Sequence, residues 1–96
     1  MPSFRVIVAV GRLRPRVDPR DVEPGAAAAA RELAVVEATS VDVVSGEARI
    51  TVRFTEDNAR TALRVAEHTV ARLRTLAEVG PWRLTERVGG RWYRRG

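Results

Sequence analysis

The amino-acid sequence predicts an α+β domain whose strand and helix signals run in the order β-α-β-β-α-β. Three observations carry that expectation: an apolar–polar alternation over Ala48 to Phe54, an alanine-rich stretch behind Pro24, and a helical apolar stripe from Ala59 to Ala77. Period-two alternation separates the two faces of a strand, whereas a helix face repeats every three or four residues.

Phe4, Val6, Val8 and Val10 alternate with Arg5, Ile7 and Ala9. Because Ile7 and Ala9 are also apolar, this first strand is expected at the centre of a sheet. Gly11 to Pro24 holds three prolines and Arg12, Arg14, Arg16 and Arg20, and reads as a partly extended loop, since proline fixes φ and removes a donor. Pro24 suits a first helical turn, with Asp21 and Glu23 where the helix dipole favours anions. The helix is expected to run to about Ala38 with Ala26, Ala30, Leu33 and Val36 facing the sheet.

Val41 and Val43 begin a second strand, Ser45-Gly46 turns, and Ala48, Ile50, Val52 and Phe54 point inward on the third. A two-residue Ser-Gly loop sets Val43 opposite Ala48 and Asp42 opposite Arg49. Thr55 or Asp57 is the expected cap of the second helix, whose stripe is Ala59, Ala62, Leu63, Ala66, Val70, Leu73 and Ala77. Gly80-Pro81 is read as its stop, near Val79. Trp82, Leu84 and Val88 then alternate with Arg83, Thr85 and Arg87. Gly89-Gly90 reads as a hairpin turn, and Arg91 to Arg95 as an extra closing strand or a tail.

Strand, helix, strand, twice over, is the split-βαβ plan, and residues 1–96 resemble one ferredoxin-like domain. The resemblance implies a two-layer sandwich, with the first and third strands central in an antiparallel sheet and both helices on one face. The element order also resembles an RNA-recognition motif, a family that stacks bases on aromatics of its third and first strands. Here those positions hold Arg49, Thr51 and Ile7, so the likeness extends to the fold and not to base stacking.

A chain that is 45% hydrophobic and 30% charged suits a globular protein with one modest core. It has no cysteine, which excludes disulfides, thiol nucleophiles and cysteine zinc sites. The apolar run near Val6 to Val10 is too short for a signal peptide or a membrane span, and a cytoplasmic location is expected. The net charge is +5 and every basic residue is arginine. With so much alanine, valine and glycine this reads as coding bias, yet the excess still favours an acidic partner.

Catalytic constellations are missing. His68 is the only histidine, on the far side of its helix from the apolar stripe, and Glu67 points away from it. A metal would need further ligands at matched spacing. Ser3, Ser40 and Ser45 lie in no strained elbow. Glu56-Asp57-Asn58 reads as a helix-start cluster, and Asp18, Asp21 and Glu23 as solvated loop carboxylates. No glycine-rich phosphate cradle follows Gly11, although Arg12, Arg14 and Arg16 are candidates for holding an anion. No cofactor is expected, and enzyme activity is disfavoured but left open.

The informative surface is the sheet face that the helices leave open. Alternation puts Arg5, Ile7, Arg49, Thr51, Arg53, Arg83, Thr85 and Arg87 there, with Asp42 and Glu47 offsetting part of the charge. If the Gly89-Gly90 loop has two residues, Trp92 pairs with Arg87 and joins this face; a one-residue slip sends it to the other. The leading expectation is a non-catalytic interaction module, self-associating or docking a protein partner through this face or the C-terminal strand. Arg49, Arg53 and Arg87 would orient the partner and Trp92 would anchor it. A nucleic-acid accessory protein using the same arginines is the alternative, and a small-molecule or enzymatic cleft near residues 11–24 is a third.

Overall fold

Phe4, Val6, Val8 and Val10 do line the middle of a sheet, on β1 (Ser3–Leu13). The computed structural model describes residues Met1–Gly96. The remaining elements are α1 (Val22–Arg31), β2 (Val35–Val44), β3 (Glu47–Thr55), α2 (Ala59–Leu76), β4 (Ala77–Val88) and β5 (Arg91–Arg94). All neighbouring strands pair antiparallel, in the order β2-β3-β1-β4-β5. The chain is therefore α+β, with a five-stranded antiparallel sheet and two helices.

The core explains why both helices lie on one side. Inward residues of β1, β3 and β4 (Phe4, Val6, Ile50, Phe54, Leu84) form one apolar cluster with Ala26 and Ala30 of α1 and Ala62, Ala66 and Leu73 of α2. Phe4 and Phe54 are direct cross-strand partners, with ring centroids 6.0 Å apart. Small residues on the helices let their backbones approach the sheet while the large side chains come from the strands. Each fully buried Val, Leu or Phe contributes about 1.5–3 kcal/mol relative to exposure.

Both hairpin turns form as the sequence predicts. Val43 pairs with Ala48 and Asp42 with Arg49 across Ser45-Gly46, whose φ angles of 53° and 78° are both positive. That is the backbone hand that matches strand twist, and glycine adopts it without strain. Across Gly89-Gly90, Arg87 pairs with Trp92, so the extra closing strand is β5.

The helix ends differ from expectation. α1 stops at Arg31, not near Ala38, and β2 already starts at Val35. Val35 and Val36 pair with Thr55 and Phe54, so cross-strand pairing of β-branched residues overrides the helical pattern. Leu33, expected on the buried stripe, is half exposed as a result. The helix is preceded by a short 3-10 turn, Pro19–Asp21, in which the Asp18 side chain accepts from the Arg20 N–H. Asn58, not Thr55 or Asp57, caps α2 by accepting from the Thr61 N–H at 3.0 Å.

α2 ends at Leu76 and the next residue, the buried Ala77, begins β4. Gly80-Pro81 is thus no helix stop but part of a strand. Val8 pairs with Trp82 and Val10 with Val79, leaving Gly80 and Pro81 opposite Ala9 as a bulge. A bulge is where an interior strand tolerates proline, which has no N–H for the ladder. β1 continues past Val10, where a second irregularity precedes the pairing of Leu13 with Ala77.

Candidate functional site

The face opposite the helices is built by the odd-numbered residues of β1 and β3. Arg5 pairs with Arg53 and with Thr85, and Ile7 with Thr51 and with Arg83. β5 adds Trp92 and Arg94 on the same face, beside Arg87 and Thr85. The two-residue Gly89-Gly90 turn thereby settles the side on which Trp92 lies.

Trp92 is the centre of this surface. The Arg5 guanidinium carbon stands 3.9 Å from the indole centroid and that of Arg53 stands 5.4 Å away. Cations over an indole face are attracted by the ring quadrupole. Burial lowers the pKa of Arg5, and the positive charges of Arg53 and Arg87 lower it further. Two guanidinium groups therefore stand over one indole, with Arg87 the cross-strand partner of Trp92, and Arg5 has no carboxylate in an ion pair.

One carboxylate reaches the Trp92 cluster, through Arg53. Arg53 Nε lies 3.3 Å from Glu37, which also accepts from the Ser3 hydroxyl at 2.8 Å. Arg49 stands beside Asp42 in register but makes its ion pair with Glu47, at 3.7 Å. Arg83 and Arg94 border an open depression with Ile7 and Ala9. Thr85 is buried although it points to the helix-free side, and its Oγ1 has no hydrogen-bond partner.

The arginines of the predicted anion loop have separate positions. Arg12 falls on the end of β1, so the expected loop is shorter than Gly11 to Pro24. Arg14 donates to the Arg74 carbonyl at the end of α2, which ties the loop to that helix. Arg20 folds back onto Asp18 at 2.8 Å, and Arg16 is exposed with φ 69°. Beside this segment lies a groove lined largely by Val10, Leu13, Pro19, Val22, Val41 and Ile50.

His68 has a partner that sequence spacing does not reveal. Its Nε2 is 2.8 Å from Glu32 Oε1, just beyond the end of α1, and Arg72 Nη2 reaches the same oxygen at 3.3 Å. The His68 hydrogen bond, against a smaller opposing effect of burial, holds the Glu32 carboxyl below the usual glutamate range. The contact fastens α1 to α2. No three of the His, Asp and Glu side chains gather into a set able to hold a metal ion. No helix is long and apolar enough to cross a membrane. Comparisons with protein-family models, curated proteins and solved structures find no match for the chain.

Proposed function

We propose that this chain is a ferredoxin-like domain acting as a non-catalytic binding module, which docks a protein partner with an acidic surface on the open face of its sheet. The fold part of the reading is supported by the order β2-β3-β1-β4, with β5 appended outside β4. The docking part is carried by one observation, the stacking of Arg5 and Arg53 over Trp92, with Arg87 opposite Trp92 on the neighbouring strand. Arginine and tryptophan are the side chains most often found at the energetic centre of interfaces.

The same charge argues against self-association through this face. A twofold interface sets a patch against its own copy, which here would oppose arginine to arginine. An acidic surface meets the arginines with the opposite sign, and such complementarity speeds encounter and rejects wrong partners.

The test is a titration with a fluorescent polyglutamate peptide at stepped salt. Binding is expected to saturate, to weaken with salt, and to fall at least about tenfold when Arg5, Arg53 and Arg87 become glutamate. Equal binding by wild type and variant would remove the open face from the function. Trp92 among arginines also supports a second reading, a nucleic-acid accessory role, since indole and cations together serve single strands. A single-stranded oligonucleotide that outcompetes the peptide, with a steep salt slope, would put that reading first.

A further inference from the structure

We propose that two copies of this chain pair along β2, antiparallel across a twofold axis, so that their sheets continue into one another. This goes beyond the open-face reading and does not depend on it. The observation behind it is how differently the two ends of the sheet are finished.

At one end, β5 is four residues long and is bounded by Arg91 and Arg94, so little backbone is offered to another strand. At the other end, β2 runs for ten residues and pairs only with β3. None of the backbone hydrogen bonds outside the regular elements involves residues 35–44, so the outer N–H and C=O groups of β2 have no partner. Folded proteins ordinarily blunt such an edge with lysine, proline, shortness or a covering loop. β2 has no proline and no basic residue, and Val35, Val41, Val43 and Val44 are each between 41% and 72% exposed. A bulge at Glu37 is its one interruption, and Ala38–Val44 beyond it keeps an unbroken register.

Charge selects the occupant. The chain carries +5, and β1, β3, β4 and β5 all bear arginines. β2 bears none, and its charged side chains are Glu37 and Asp42. It is the strand along which two copies of a basic chain meet without opposing guanidinium groups.

The register agrees. Val41 is the midpoint of the unbroken segment Ala38–Val44, so antiparallel self-pairing centred there sets Val41 against Val41 and Ala38 against Val44. The same register places Ser40 opposite Asp42, where the hydroxyl donates to the carboxylate, and Thr39 opposite Val43. A shift that centres the pair on Asp42 would oppose two carboxylates directly. The twofold axis stands perpendicular to the sheet, so both arginine faces of the dimer look the same way.

Sedimentation velocity across micromolar to near-millimolar concentration, with hydrogen exchange of the β2 amides, tests the proposal. Wild type is expected to shift from monomer to dimer with concentration, and the outer β2 amides to slow in step. The double variant Val41→Lys, Val43→Lys is expected to remain folded and to dimerise at least about tenfold more weakly, because lysines then face each other across the axis. Should that double variant misfold, Val41→Lys alone keeps the test, because in this register residue 41 faces its own copy at the axis. A wild-type monomer at all concentrations, with β2 exchange independent of concentration, would overturn the proposal. So would a dimer that the folded lysine variants leave unchanged. Neither result bears on polyglutamate binding, which uses residues of the other strands.

Discussion

On one side of β1, Phe4, Val6 and Val8 are fully buried; on the other, Arg5 and Ile7 are only partly covered. The residues are neighbours in sequence and their surroundings are opposite. The covered face is held by apolar contact with alanine-lined helices. The open face is organised by a single indole, with two arginines over it and a buried threonine whose hydroxyl lacks a partner. The contrast teaches that apolar packing and positive charge are divided between alternate positions of the same strands, so each can be altered with limited effect on the other.

The largest expected effect breaks the covered face. Phe54→Ala deletes a ring stacked on Phe4 and should lower unfolding free energy by about 3–5 kcal/mol, read by chemical denaturation. An unchanged midpoint would mean that the two faces do not differ as described. Next is Thr85→Val, which replaces the unpartnered buried hydroxyl with a methyl group of similar shape. It should raise stability by about 1 kcal/mol, and a loss in its place would show that the hydroxyl is satisfied in solution.

Trp92→Ala removes a partly buried indole together with its cation–π contacts and should lower stability by less than Phe54→Ala does, yet weaken polyglutamate binding as far as loss of the arginines does. A collapse of the fold would move Trp92 from the open-face side of the comparison to the packed side. The smallest effect lies outside both faces, at Glu32. Its carboxyl titrates below the ordinary glutamate range of roughly 4.3 because of His68, so the contact stabilises the fold at neutral pH and is lost as acid protonates it. The melting difference between wild type and Glu32→Gln, small and positive at pH 7, should vanish on acidification. A difference that grew instead would contradict the assigned direction.

The features legible in the sequence are those set by local rules. The alternation of Arg49, Thr51 and Arg53, the Ser45-Gly46 turn, and the side of Trp92 given a two-residue Gly89-Gly90 loop all follow from strand period and turn chemistry. The misread features depend on distant partners. Nothing around Arg31 or Leu76 punctuates the chain, and the helices end because Val35 and Ala77 find places in the sheet. Gly80-Pro81 carries a strong stop signal that the fold uses for a bulge. The pairing of His68 with Glu32, thirty-six positions away, leaves no trace in spacing.

The direct passage from Leu76 to Ala77 has a consequence for how this chain can change. With no loop between them, the rotation of α2 and the pleat of β4 are locked in phase. One inserted residue would turn the helix by about 100° or exchange the two sides of the strand, carrying Arg83 and Arg87 inward and Leu84 outward. Single-residue insertions and deletions are therefore expected to be tolerated at the Ser45-Gly46 turn and rejected at this junction. The sidedness of Arg83 and Arg87 on β4 hangs on one peptide bond.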